Sequence, residues 1–183
     1  MTIEQIETLL VGYSNSPFYI RKNIVVPNVD WGFLNHEADL LVLSKSNYLT
    51  EVEIKRSWSD FMADFKKKHS HYDPKLSHLY YAVPSSIAQK VFDWLYEGEL
   101  RTERFWTIRS KVQNTTENNP HGCGLIIYED PSDIYPYGRC YITAPAARMG
   151  DYKVTQAEEL KLLRLCGMRV WNLKKKVAKL QKK

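Results

Sequence analysis

Apolar residues first recur at helical spacing, at Ile3, Ile6, Leu9 and Leu10. They predict an amphipathic helix from about Thr2 to Val11, with Thr2 as its N-cap. The next segment, NIVVPNVDWGF, changes to a β-branched run that Pro27 and Gly32 interrupt. This pattern predicts an irregular or edge strand.

Two strand-like segments follow, Ala38 to Leu43 and Tyr48 to Lys55, with a short polar turn between them. This arrangement predicts an antiparallel hairpin. The period then changes to about 3.6 residues, since Trp58, Phe61 and Phe65 form one apolar face. We expect a helix that runs to about His69, with Ser57 and Asp60 at the spacing of a capping box.

The segment HLYYAVP predicts a buried strand, and Ser85 or Ser86 could cap a helix that runs to Trp94 or Leu95. Further short strands are expected at Phe105–Ile108, Gly124–Tyr128 and Tyr141–Thr143. Helices and strands that alternate in this way indicate an α/β fold. A length of 183 residues suits one domain that spans residues 1–183.

A long helix is predicted from about Thr155 to the end of the chain, as part of that domain. Its apolar residues recur at spacings of three and four: Leu163, Cys166, Val170, Leu173, Val177 and Leu180. This heptad-like row could pack on the body of the protein, or on a second copy to form a homodimer.

Positive charge is concentrated in the same helix. The net charge is +5, but residues 161–183 contain nine basic residues and no acid, which leaves 17 basic against 21 acidic residues elsewhere. A basic helix of this kind can follow a nucleic-acid backbone. It can equally be a solvated helix end whose cations suit the helix dipole.

Composition excludes some classes of protein. No apolar run approaches the ~18 residues of a membrane span, and residues 1–13 do not have the basic-then-apolar pattern of a secretory signal. We therefore expect a cytoplasmic protein. Three widely spaced cysteines without a CxxC pair indicate reduced thiols rather than disulfides or a cysteine-bound metal.

The strand from Tyr48 to Lys55 carries charges where a buried strand should be apolar. Glu51, Glu53 and Lys55 share one face, which could be no more than a solvated face. However, antiparallel pairing through the turn brings Asp39 close to Glu53. Two carboxylates and a lysine would then meet on one surface of the sheet.

Such a group has the parts needed for phosphodiester hydrolysis. Carboxylate oxygens on rigid strands suit Mg²⁺ or Mn²⁺, which would activate a bound water and polarise a phosphate. Lys55 lies roughly 6–7 Å along the strand from Glu53, close enough to orient the nucleophile or stabilise developing charge.

Asp39, followed by Glu53-Ile54-Lys55 across a hairpin and then a helix and a buried strand, resembles the PD-(D/E)XK nuclease superfamily, with Ala38 in place of the proline. Residues 36–84 are similar to the MmcB-like DNA repair proteins, through EIKRS at 53–57 and DFMADFK at 60–66. A weaker similarity continues through GCGLIIYED and AARMGDYKVTQAEELKLLRLCGMRVW.

The resemblance implies a restriction-endonuclease-like core, in which helices flank a mixed central sheet. It implies a metal-dependent DNA endonuclease or exonuclease that acts in repair or recombination on duplex or branched DNA. Asp39 and Glu53 would bind Mg²⁺ or Mn²⁺ together with the Ile54 carbonyl, and Lys55 would be the catalytic lysine. The alternative is a non-catalytic nucleic-acid-binding or assembly protein that keeps the nuclease fold.

Several other polar residues have two alternative roles. Glu37 and Glu51 have the strand parity of Asp39 and Glu53, so either could support a second metal or face solvent. Ser57 and Asp60 could support the site as well as cap the helix. The resemblance also allows an acid from the first helix at the metal, and Glu4, Glu7 or neither could serve.

The remaining candidates concern charge on surfaces. We expect Asp64 to form intrahelical ion pairs with Lys67 or Lys68. Phosphate contacts are expected from two groups of lysines: Lys66, Lys67 and Lys68, and Lys174, Lys175 and Lys176. His69, His71 and His78 do not have zinc-site spacing, which favours loop and surface roles.

Overall fold

A six-stranded mixed sheet forms the centre of the computed structural model, which describes residues 1–29, 32–66, 71–96 and 115–181. In chain order the elements are α1 (Ile3–Val11), β1 (Ile24–Val29), β2 (Ala38–Leu43), β3 (Leu49–Ile54), α2 (Trp58–Asp64), β4 (Leu76–Pro84), α3 (Ser85–Leu95), β5 (Gly124–Glu129), β6 (Arg139–Ala144) and α4 (Gln156–Leu180). The strand predicted at Phe105–Ile108 lies outside the described residues.

The strands lie side by side in chain order, from β1 to β6. Antiparallel pairs at both edges enclose the parallel pairs β3–β4 and β4–β5. β1 is an edge strand, as predicted, which is where Pro27 is tolerated because it has no N–H to donate. The predicted β2–β3 hairpin is confirmed, and its turn places Asn47 at a φ of 65°.

Helices cover both faces of the sheet. α1 packs Ile6 and Leu10 on one face, against Val52 of β3 and Ile126 of β5. Two apolar clusters lie on the opposite face, as the strand register shows. One surrounds Phe61 of α2 and Phe92 of α3, and the other surrounds Leu162 of α4.

The two clusters on this face are separated by polar side chains. Glu51 and Glu53 lie between them, because in the parallel register Glu51 pairs with Leu79 and Glu53 with Tyr81. Leu49, two residues before Glu51, already belongs to the cluster under α4. The charged row of β3 is therefore covered by protein rather than by solvent.

The helix ends agree with most of the sequence predictions. Thr2 caps α1 and Thr155 caps α4, each in a capping box. Two predictions were wrong. α2 ends at Asp64 instead of near His69, and α3 has Pro84 as its N-cap without a side-chain cap, because the helix already includes Ser85.

α4 packs on the body only through its first half. Leu162 is fully buried, and Cys166 Sγ donates to Val25 O at 3.4 Å, while Arg169 donates to Asn28 O. Every residue from Val170 to Gln181 is exposed. The predicted apolar row is thus mostly uncovered, and its contact with the body uses Leu162 rather than the half-exposed Leu163. None of the described helices is long and apolar enough to cross a membrane.

Candidate functional site

Asp39 and Glu53 meet where β2 begins and β3 ends. The Asp39 N–H donates to Glu53 Oε1 at 3.3 Å, and the Ile54 N–H donates to Asp39 Oδ2 at 2.8 Å. The hairpin register causes this approach, since Leu40 pairs with Val52 one position further along. The proximity predicted from the turn is therefore observed.

Lys55 directly follows β3, and its side chain is buried. Its Nζ lies 2.7 Å from Glu53 Oε2 and 2.6 Å from Asp64 Oδ2. Its backbone is held as well, because its N–H donates to Ala82 O and its carbonyl accepts from the Tyr128 hydroxyl. The lysine thus bridges a strand carboxylate and a helix carboxylate.

The charges in this group strongly influence one another. Burial, and then the negative charge of Asp39, raise the pKa of Glu53 to about 7. Burial alone would lower the pKa of Lys55, but the charges of Glu53 and Asp64 outweigh it and raise that pKa above its ordinary value. The lysine therefore keeps its proton, and the crowded carboxylates attract further positive charge.

Glu51 lies deeper than Glu53 and is completely buried. Its Oε2 lies 2.8 Å from His36 Nε2, and its Oε1 lies 2.9 Å from His71 Nδ1. Burial would raise the pKa of Glu51, but hydrogen bonds from the two histidines outweigh it and lower that pKa. Glu51 is thus an ionised carboxylate between two imidazole rings.

The second nitrogen of each ring also has a partner. His36 Nδ1 lies 2.6 Å from Asn35 Oδ1, and His71 Nε2 lies 3.1 Å from Asp64 Oδ2. Because Asp64 also contacts Lys55, one continuous polar network joins Glu51 to Lys55. Burial opposes a charge on His71, but hydrogen bonds to Asp64 and Glu51 raise its pKa to about 10.

Sequence reasoning missed three members of this network. His36 was not predicted as a site residue, and His71 lies in a loop as expected but not at the surface, because its ring is buried. Lys67 and Lys68, the expected partners of Asp64, lie outside the described residues. Asp64 itself is buried and contacts Lys55 and His71, and these two contacts were not predicted. The sequence signal that could have found these residues is Glu51. It shares its strand face with the apolar Leu49, which indicates that this face is buried and that the Glu51 carboxylate needs buried partners.

The structure distinguishes the residues that were predicted only as support for the site. Glu37 is exposed, unlike Glu51. Ser57 Oγ accepts from the Asp60 N–H at 3.1 Å and so caps α2. The Asp60 carboxylate accepts from the Arg56 N–H, one residue before the position that a full capping box requires.

Between the two acids of α1, Glu7 is the one beside the site. Burial, and then the negative charges of Glu4 and Asp39, raise its pKa. Glu4 is exposed, and its pKa is lowered by a backbone hydrogen bond at the start of the helix. An acid from the first helix, if one assists Asp39, is therefore Glu7.

Within the described part of the chain, two overlapping sets of residues have the arrangement of metal ligands. They are His36, Glu51 and His71, and Glu53, Asp64 and His71, with the ligand atoms of each set within 4.8 Å of one another. The pair that the resemblance assigns to the metal, Asp39 and Glu53, lies at the outer end of the same network.

The candidate phosphate contacts lie outside this network. Lys66 is exposed just after α2, and Lys174, Lys175 and Lys176 are exposed on the free half of α4. Lys67 and Lys68 lie outside the described residues.

No protein-family model matches the chain, and no curated protein matches it. One solved structure, a protein of unknown function from Silicibacter pomeroyi, is similar with a TM-score of 0.47 and 16% identity. The similarity covers 88% of this chain and 84% of that protein.

Proposed function

We propose that this chain is a metal-dependent nuclease of the PD-(D/E)XK superfamily that hydrolyses phosphodiester bonds of DNA. The observation that carries the proposal is the approach of Asp39 and Glu53, with the Lys55 ammonium 2.7 Å from Glu53. The helices on both faces of the mixed sheet agree with the core that the resemblance implies. The assignment to repair or recombination rests on the MmcB-like motifs.

The donor set suits a hard divalent cation. Asp39 and Glu53 are neighbouring carboxylates joined through backbone N–H groups, and burial together with the negative charge of Asp39 raises the pKa of Glu53, so a cation would be stabilised there. Mg²⁺ or Mn²⁺ would be held by these two side chains and the Ile54 carbonyl. When bound there, the ion would act as a Lewis acid toward the phosphate.

Lys55 supplies a positive charge rather than a base. Its two carboxylate partners hold it protonated, and its fixed backbone limits where the ammonium can move. A charged donor in a buried site stabilises the negative charge that develops on phosphate oxygens. Lys55 would therefore act as an electrostatic and orienting group.

The free half of α4 could provide backbone affinity for DNA. α4 begins near the hairpin turn, where the Val154 N–H donates to Asn47 O, and reaches Asn28 at the other end of β1. This is the end of the sheet where Val29 pairs with Ala38, beside Asp39. Residues 170–180 then extend roughly 16 Å beyond the body. Their lysines therefore project from the end of the strands where the site lies.

A cleavage assay tests this proposal. Labelled duplex, single-stranded and branched DNA are incubated with Mg²⁺, Mn²⁺ or EDTA. We expect metal-dependent cutting by the wild type, and its loss in Lys55→Ala and Asp39→Asn with DNA binding retained. Lys45→Ala is the matched control, because Lys45 is exposed in the hairpin turn at the far end of the strands.

Circular dichroism confirms that each variant is folded before activity is compared. Binding by a folded wild type without cutting of any substrate would contradict the nuclease and favour a non-catalytic nucleic-acid-binding protein. Cutting that survives in Lys55→Ala would remove Lys55 from the chemistry.

The basic arm has its own test. If Lys174, Lys175 and Lys176 all contact phosphates, their replacement by Gln should reduce the slope of log K against log salt by about 2–3 for duplex DNA. An unchanged slope would assign these lysines to solvent.

A second candidate function, assembly through α4, is favoured by one observation. Val170, Leu173, Val177 and Leu180 are all more than half exposed along one helix. Apolar rows of this kind form helix pairs between chains. Association that persists at high salt and is lost in Leu173→Glu would support a homodimer, while a monomer at every concentration would exclude it.

A further inference from the structure

The His36–Glu51–His71 triad lies beside the proposed nuclease site, and none of its members is assigned a step in that chemistry. All three side chains are buried, and Glu51 is fully enclosed. Buried charged groups are normally paired or bound to a metal. The arrangement of the donor atoms distinguishes these two cases.

Hydrogen bonds fix the orientation of both rings. Asn35 Nδ2 donates to the Tyr72 carbonyl, so its Oδ1 is the atom that accepts from His36 Nδ1–H. His71 Nε2–H donates to Asp64. A histidine that binds a metal almost always donates its other N–H to a carboxylate or carbonyl oxygen, which fixes the ring and makes it a better ligand. Both rings have such a partner here.

The nitrogens that remain, His36 Nε2 and His71 Nδ1, both face Glu51. If both rings are neutral, the lone pairs of these two nitrogens point at the Glu51 carboxylate, which is repulsive unless positive charge lies between them. That charge can come from one extra proton on each ring or from one divalent cation, and both add two positive charges. Two charged rings whose centroids are 5.1 Å apart would repel each other, whereas one cation between neutral rings avoids this repulsion.

We propose that His36, Glu51 and His71 form a structural site for one divalent transition-metal ion of the zinc class. The ligands are two imidazole nitrogens and the Glu51 carboxylate, a His₂Glu set that suits Zn²⁺ and leaves the fourth position to a water. The nitrogens lie 2.8–2.9 Å from the facing oxygens. Tetrahedral ligand atoms around zinc are about 3.3–3.6 Å apart, so the triad needs to open by only about half an ångström or slightly more.

The ion would connect three separate segments of the chain. Glu51 belongs to β3, and His36 and His71 lie in loops that are already joined by hydrogen bonds from Asn35 to Tyr72 and Asp73. It would also hold His71 toward Asp64, the partner of Lys55. The site would therefore act as a structural support behind the proposed nuclease centre, and its existence does not depend on that activity.

The test measures metal retention by the full chain, purified without a polyhistidine tag. The protein is loaded with Zn²⁺, dialysed, and analysed for metal by mass spectrometry. Co²⁺ then serves as a probe through the visible absorption of a four-coordinate site. We expect one equivalent of Zn²⁺, a melting temperature that Zn²⁺ raises and EDTA lowers, and loss of stoichiometric binding in His36→Gln and Glu51→Gln.

Two controls separate this site from its surroundings. Asp39→Asn removes a ligand of the proposed nuclease metal and should retain the zinc, and His78→Gln replaces a half-buried histidine outside the triad and should also retain it. Asn35→Ala keeps all three ligands but removes the partner of His36 and the side-chain hydrogen bond to the Tyr72 carbonyl, and it should weaken binding by about 10–100-fold.

A folded wild type that retains no Zn²⁺ and gives no four-coordinate Co²⁺ spectrum would overturn the proposal. So would retention that Asp39→Asn abolishes, because the ion would then belong to the nuclease site. If the ligand variants do not fold, the wild-type Co²⁺ spectrum and the affinity of Asn35→Ala decide the question.

Discussion

Asp64→Asn provides a direct test of the buried network. The Asp64 and Lys55 side chains are 2% and 5% exposed, and their charged atoms lie 2.6 Å apart. The replacement keeps the size of the side chain but removes the charge that faces Lys55 and His71. Breaking a buried pair by removing one partner destabilises a protein by about 3–5 kcal/mol. We expect the lower half of that range, since Lys55 keeps Glu53.

Urea unfolding, followed by tryptophan fluorescence, measures this effect. With a denaturant slope of about 2 kcal/mol per M, the midpoint should fall by about 1.5–2 M. Asp60→Asn is the matched control, because it makes the same replacement on the same helix at an exposed position. Its effect should stay within about 0.5 kcal/mol.

A double-mutant cycle with Lys55→Met isolates the pair from the rest of the network. We expect a coupling free energy of about 1–3 kcal/mol between the two positions. Equal midpoint shifts for Asp64→Asn and Asp60→Asn, or a coupling free energy near zero, would refute the account of Asp64 as a buried charge partner.

Three further predictions concern pH, the anchor of α4 and a close backbone approach. In EDTA, the free energy of unfolding should fall as pH rises from about 5 to 10. The folded-state pKa values of Glu53 (about 7) and His71 (about 10) lie above their ordinary values of 4.5 and 6.5, so the folded protein binds more protons than the unfolded chain over this range. A flat urea midpoint between pH 7 and 9 would contradict this. Leu162→Ala should lower the free energy of unfolding, measured in urea, by about 2–5 kcal/mol, whereas Leu163→Ala, at a half-exposed position, should lower it by less than about 1 kcal/mol. Similar losses in the two variants would argue against the observed packing of α4. Gly124→Ala should lower the melting temperature, at a cost of about 1–3 kcal/mol, because a Cβ there would collide with a buried tyrosine ring and a backbone nitrogen; an unchanged melting temperature would argue against this close packing.

Local patterns predicted the hairpin and its acidic pair correctly. The polar turn at 44–47 sets the register of β2 and β3, and that register alone brings Asp39 to Glu53. Helix caps are local in the same sense, since Thr155 and Glu158 are three residues apart and bond to each other's backbone. Interactions within a few residues, or across one tight turn, can be derived from spacing.

The inner half of the network could not be derived in this way. Strand parity places Glu51 on the same face as Glu53, but it does not reveal whether that face is covered. His36 and His71 reach Glu51 from positions 15 and 20 residues away, through loops without periodicity. Only the packing of α2 and these loops over the sheet shows that the carboxylate is enclosed.

The sequence by itself therefore determined the elements, the hairpin and the outer Asp39–Glu53–Lys55 group, because each depends on short-range geometry. Tertiary structure decided that Glu51, Asp64, His36 and His71 form one buried network, because burial depends on what covers a surface. It also decided that α4 leaves the body after Arg169, since the apolar row of a helix does not specify where its partner ends.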